Sequence, residues 1–131
     1  MSTVRFGVSL EDTLLKSLDN FTRKNGFPNR SQAIRYLINE YIVDEKWDGD
    51  QEVAGNISIV YNHHKRNLLN KLNDIQHDYH DVILSNLHFH IDHNNCMEII
   101  AVKGKADILR ELSEKIITCK GIKHGRLTTT H

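Results

Sequence analysis

The sequence of 131 residues predicts an α+β protein of two modules, and three observations predict it. A strand-like alternation at residues 4–10 leads into two amphipathic helical patterns that end near residue 43. Beyond residue 53 the order becomes strand, helix, strand, strand, helix, strand, a split βαββαβ plan. Between them, Asp44, Glu45, Lys46, Asp48, Asp50 and Glu52 sum to −4, whereas residues 1–43 and 53–131 each carry +2. The expected organisation is a first module at 1–46, an acidic hinge at 47–52 and a second module at 53–131.

In the first module, Val4, Phe6, Val8 and Leu10 face one side of a strand, and Arg5, Gly7 and Ser9 face the other. A helix follows from about Glu11 with Leu14, Leu15, Leu18 and Phe21 as its stripe. Asn25-Gly26 and then Phe27-Pro28 stop it. A second helix starts after Asn29-Arg30-Ser31, with Ser31 as the expected N-cap, and its stripe runs from Ala33 to Ile42. A lone strand is unstable, and about 43 residues bury too little surface alone. The economical solution is a dimer whose strands pair as an antiparallel ribbon over four interlocked helices, the ribbon-helix-helix arrangement that enters the DNA major groove. Arg5, Gly7 and Ser9 are then the base-facing set, while Arg30, Arg35 and the free amides beside Ser31 face phosphate.

In the second module, residues 53–62 read as a strand and about 65–79 as a helix with Leu68, Leu69, Leu72, Ile75 and Tyr79 inward. Strands are expected at 82–92 and at 97–102, the latter ending at Gly104; a helix at 106–120 and a last strand at 122–129 complete the plan. All nine histidines lie here, the first being His63. Along the strand, positions 88, 90 and 92 share one face, and Leu87, Phe89 and Ile91 are expected to point to the core. His88 and His90 therefore stand side by side, and the turn at 93–95 returns Cys96 beside them. Two imidazoles and a thiolate on a rigid hairpin are metal-site chemistry suited to zinc, copper or nickel, with His77 or His80 as fourth ligand. His63 and His64 read as a solvated helix start or a secondary patch, and Cys119 as packing.

Composition bounds the alternatives. An apolar content of 39% suits a packed core, and two cysteines cannot staple a small secreted fold. No apolar run approaches the roughly 18 residues of a spanning helix, so a soluble, cytoplasmic protein without membrane contact is expected. With 17 basic and 17 acidic side chains, the whole molecule is not built for indiscriminate capture of nucleic acid. No nucleophile–base pair or phosphate-cradling glycine loop is visible, which argues against an enzyme. Other candidate readings are a regulator sensing another metal or an amino acid, and a metal-sequestering protein.

Several motifs together resemble the nickel-responsive ribbon-helix-helix repressors, the NikR family. They are Asn29-Arg30-Ser31 before Ala33-Ile34-Arg35, Gln76-His77, Leu87-His88-Phe89-His90, Cys96-Met97-Glu98 and Val102-Lys103-Gly104. The resemblance implies a homotetramer, a dimer of dimers, with a core of ferredoxin-like (ACT-type) domains and a DNA-binding dimer at each end. It implies one Ni(2+) per subunit in a square-planar site, from His88, His90 and Cys96 of one subunit and His77 of a neighbour. Tyr61, Gln76 and Glu98 are the implied supporting partners. The implied function is nickel-dependent binding of operator DNA, repressing nickel uptake, with Lys65 and Arg66 on the DNA backbone. The chain departs from the family at Gly7, where a hydroxyl residue is usual, and at Gln32 and Tyr36, where acidic residues of an interdomain cation site are usual.

Overall fold

The computed structural model describes residues 2–49 and 51–131. They form two compact units, Met1–Tyr41 and Ile42–His131.

In the first unit, α1 (Asp12–Lys24) ends at Asn25-Gly26, where Gly26 takes φ +72°, the left-handed conformation glycine adopts without strain. Asn25 reinforces the stop by donating its side-chain amide to the Phe21 carbonyl at 2.8 Å. Helix α2 (Arg30–Asp48) begins two residues earlier than expected. Its cap is Asn29, not Ser31: the Asn29 Oδ1 accepts the Gln32 amide at 2.9 Å. Phe21, Phe27 and Tyr36 stack around the turn with ring centroids 5.3–6.1 Å apart, so Tyr36 serves as a packing residue between the helices. Residues 2–11 form no strand within the single chain. Val4, Phe6, Val8 and Leu10 are exposed, Val4 by 82%. The alternation is present, but a ladder needs a second row of backbone groups, which one chain does not supply.

In the second unit, β1 (Glu52–Asn62), α3 (Arg66–Asp78), a single 3₁₀ turn (His80–Val82), β2 (Ile83–His90), β3 (Asn95–Lys105), α4 (Ala106–Ile117) and β4 (Ile122–Thr130) follow the predicted order. The sheet order is β2-β3-β1-β4, every neighbouring pair antiparallel. The two strands joined through α3 are thus separated by β3, which is the split βαββαβ plan. The core lies on one face of this sheet. Ile57, Ile59, Ile100, Leu109, Leu112 and Ile116 are completely buried there, each contributing about 1.5–3 kcal/mol by leaving water.

The last turn of α2 covers the first two residues of the expected hinge; residue 50 lies outside the described residues. Trp47 is buried in the core of the second unit and donates its indole N–H to the Thr130 carbonyl at 2.7 Å. Gly55 makes room for it: a Cβ there would sit 2.5 Å from the Thr128 carbonyl oxygen and 3.2 Å from the Trp47 ring.

Candidate metal centre and DNA-binding face

The β2–β3 hairpin sets the candidate metal ligands. Its register pairs His90 with Cys96 and His88 with Glu98, so all four stand on the helix-covered face of the sheet. Leu87 and Phe89 pair with Ile99 and Met97 on the opposite, open face. This reverses the expected orientation. Leu87, Phe89 and Ile91 point away from the core of this chain and are 56%, 45% and 54% exposed. The physical reason is that the sheet has helices on one side only and β2 is its edge. An extra residue at Leu84, where the register shifts between Ile83 and Ser85, fixes which side each later residue takes.

The turn is held by Asp92, whose carboxylate accepts the amides of Asn94 and Asn95 at 2.9 Å and the Asn95 side-chain amide at 3.0–3.1 Å. Those bonds, the Asn95 side chain foremost, hold its carboxyl below the usual range.

Beneath the ligands is a buried polar node. Glu98 is 1% exposed, yet its carboxylate is fully partnered. Oε1 accepts the Tyr61 hydroxyl at 2.9 Å, and Oε2 accepts the side-chain amides of Gln76 at 2.9 Å and Asn86 at 3.2 Å. Asn86 also donates to Gln76 Oε1 at 2.9 Å. His88 Nε2 lies 3.7 Å from Glu98 Oε2. Burial first, and then the neighbouring Glu98 and Cys96, push the Tyr61 phenol well above its ordinary value, so it remains a donor. Tyr61, Gln76 and Glu98 thus meet as the sequence implied, whereas Asn86 is an added member. Positions 86, 88 and 90 share one strand face, and that period of two is the signal that points to it.

His77 lies in the last turn of α3 and His80 opens the 3₁₀ turn after it, with ring centroids 6.0 Å apart. Both ring nitrogens of His80 are engaged: Nδ1 lies 3.0 Å from the His77 carbonyl and Nε2 3.0 Å from Asp81. Among the described residues the His77 ring nitrogens carry no such partner, which leaves His77 as the less engaged of the two rings. Among the described residues of one chain, no group of three or more His, Cys, Asp or Glu side chains could hold a metal ion. His88, His90 and Cys96 share a face and a hairpin, but one chain does not complete a site. The donor set still fits a borderline metal such as nickel, since imidazole nitrogen and thiolate sulfur are its preferred ligands.

Two further histidines crowd the same end of the sheet. His63 lies 4.5 Å from the His90 ring and 4.0 Å from the His64 ring, and its Nε2 is 2.9 Å from the His93 carbonyl oxygen. Cys119 is buried, its thiol directed at the Lys115 carbonyl at 3.1 Å, a packing role.

On the first unit, Arg5, Gly7 and Ser9 are exposed, and nothing would crowd a Cβ at Gly7. Thr3, Val4, Arg5, Phe6, Val8 and Leu10 border a cavity of about 780 Å³ whose other wall includes Leu15, Leu18, Ile34 and Ile38. Arg30 is held by Asp19 through two bonds of 2.8 and 3.0 Å. A guanidinium has five N–H donors, so three remain for other partners. Ser31 opens the first turn of α2; Lys65 and Arg66 open α3 on the second unit.

Residues 4–45 match the family described as ribbon-helix-helix protein, copG family, and residues 54–130 match that described as NikR C terminal nickel binding domain. A protein of Syntrophus aciditrophicus is 53% identical over 95% of this chain and 91% of its own length. One from Desulfovibrio desulfuricans is 48% identical over 96% and 91%, and one from Thermococcus onnurineus 48% over 99% and 95%. All three carry the provisional name nickel-responsive regulator. An uncharacterized protein of Thermotoga maritima superposes over 62% of this chain and all of its own, with a TM-score of 0.56 and 16% identity, a likeness of fold alone. On the two domain matches and the identity along nearly the whole length, the chain belongs to the NikR family of ribbon-helix-helix transcriptional regulators, which are not enzymes.

Proposed function

We propose that the protein binds operator DNA when nickel is plentiful and represses genes of nickel uptake, working in the cytoplasm. Nickel-responsive DNA binding follows from the family. The residues that perform it are our reading. The observation that carries it is the hairpin register, which sets His88, His90 and Cys96 on one face directly over the buried Glu98 node.

In this reading His88, His90 and Cys96 of one subunit and His77 of a neighbour hold one nickel ion per subunit. The bound ion supplies a cross-link between subunits. Tyr61, Gln76 and Asn86 fix Glu98, and Glu98 orients the His88 ring. Arg5 and Ser9 read base edges from a ribbon of two paired strands, with Gly7 between them adding no side-chain contact. Arg30, Ser31, Lys65 and Arg66 hold phosphates.

A homotetramer is supported by exposed apolar surface. Val4, Phe6, Val8 and Leu10 form one patch on the first unit, and Leu87, Phe89 and Ile91 another on the second. Patches of this kind mark contact surfaces. Two different self-complementary interfaces on one chain close as a dimer of dimers.

The test is a gel shift on DNA upstream of the chain's own gene and of neighbouring transport genes, with and without nickel. Nickel strengthens binding to wild type, and His77→Ala and Cys96→Ala each abolish the response. Unchanged nickel dependence in both variants would refute the site.

A further inference from the structure

Strand β4 carries an extra residue at the end of the sheet where the candidate ligands lie. Val60 pairs with His124 and Tyr61 with Ile122, which leaves Lys123 without a partner in the ladder. A bulge of this kind bends its strand and re-aims a side chain. Here the Lys123 ammonium reaches past the end of β1 and donates to Asn95 Oδ1 at 2.6 Å.

Asn95 opens β3 immediately before Cys96. Its side-chain amide spans both carboxylate oxygens of Asp92 at 3.0 and 3.1 Å, and its carbonyl accepts the Ile91 amide at 2.9 Å. Residues 91–95 are the whole connection between His90 and Cys96, which pair across the hairpin. The end of β1 adds another tie, because the His63 amide donates to the Asn94 carbonyl at 3.1 Å. The bonds of Asp92 and Ile91 close the turn within the hairpin itself. The bond from Lys123 comes from another strand, so closing the turn is not its work. It fixes where the tip of the hairpin sits against the rest of the sheet.

We propose that Lys123 is a positioning residue for the nickel site, holding the turn between His90 and Cys96 through Asn95. The inference rests on the assignment of those two residues as ligands above. Lys123 is exposed, and one exposed hydrogen bond contributes little to the stability of the whole unit. Ligand geometry is more sensitive, since loss of a group that orients a metal ligand costs about 10–100-fold in affinity. The charge of Lys123 acts in the opposite direction. A cation repels a divalent ion, so charge alone predicts that removing it tightens nickel binding.

The experiment is nickel affinity of the full chain without DNA, measured by competition with a chelator, together with the sulfur-to-nickel absorption band. Lys123→Met keeps the stem and removes the ammonium. It is expected to weaken nickel binding by about 10-fold and to shift the band. The metal-free melting temperature and assembly stay at wild-type values. Lys123→Arg, which retains N–H donors at similar reach, restores affinity and band. In an Asn95→Ala background, Lys123→Met has no further effect. Wild-type or tighter binding by Lys123→Met, while Cys96→Ala abolishes the band, overturns the positioning role and leaves the ligand assignment intact. A Cys96→Ala chain that keeps both band and affinity overturns both.

Discussion

Replacing Tyr61 by Phe removes one oxygen from the most enclosed polar group of the second unit. Among the described residues Glu98 Oε1 has a single donor, the Tyr61 hydroxyl at 2.9 Å, because Gln76 and Asn86 both donate to Oε2. Tyr61 and Glu98 are each 1% exposed, so water does not replace the lost donor. Phenylalanine fills nearly the same volume, which keeps a cavity contribution out of the result. Leaving a buried acceptor without a donor costs about 1–3 kcal/mol. At a urea m-value of about 2 kcal/mol per molar, a central loss of about 2 kcal/mol lowers the unfolding midpoint by about 1 M. The assay is urea unfolding in the presence of a chelator, so that nickel binding does not contribute. Tyr79→Phe is the matched comparison, since its hydroxyl donates to Glu111 at 2.8 Å in an exposed pair. That deletion should shift the midpoint by less than about 0.3 M, water taking over both partners. Equal shifts in the two variants would refute the claim that enclosure gives the Glu98 node its strength.

Three other outcomes follow from the packing and charge of the two units. Gly55→Ala drives a Cβ against the Thr128 carbonyl oxygen, so it should destabilise the second unit by about 1–3 kcal/mol. Trp47 is the sole tryptophan, and a red-shifted emission in that variant would show it displaced from the sheet; unaltered emission and melting would contradict the packing. The Asp19 carboxyl is held below its ordinary 3.8 by the hydrogen bond from Arg30 and then by that residue's charge. A depressed folded pKa gives stability that is present above the unfolded value and lost as pH falls through the folded one. Carbon-detected NMR should find the Asp19 midpoint below 3.8, and Arg30→Gln should return it there. Gly7→Ser meets no obstacle in the single chain and should leave the melting temperature unchanged while altering operator affinity.

The order of the second unit was legible because each element carries its own local signal, a period and a stop. Gly26 and Gly121 take the positive φ that their positions after helices imply. The orientation of β2 was not legible. Apolar residues at 87, 89 and 91 were read as inward by the ordinary equation of apolar with buried, yet only one face of this sheet is covered within the chain. The segment at 4–10 shows the same gap: its alternation is plain, but among the described residues of one chain no strand pairs with it. Asn29 and Ser31 both offer a capping oxygen, and a sequence does not tell which residue leaves the helical conformation first; the bond to Gln32 selects Asn29. The acidic composition at 44–52 reads as a hinge, while the one large apolar residue in it, Trp47, is buried in the core. Asn86 carries no signal of its own in the sequence, because a neutral amide has no metal chemistry and matters only through Glu98 and Gln76.

In the proposed assembly the two sides of β2 carry different jobs, and that arrangement would link subunit association to metal binding. One side bears His88 and His90; the other bears Leu87 and Phe89, exposed beside Ile99 and Met97. A second copy covering the apolar side immobilises the same backbone that carries the ligands, and in the proposed site it also delivers His77. Phe89→Asp puts a charge on the apolar side without touching a ligand. It should reduce the assembly measured by sedimentation and weaken nickel binding together, by about 5–150-fold if the coupling lies in the usual range of about 1–3 kcal/mol. His88→Ala should weaken nickel binding with the metal-free assembly unchanged. A Phe89→Asp chain that sediments as a smaller species yet binds nickel with wild-type affinity would show that one chain completes the site. That result would sink the intersubunit assignment of His77.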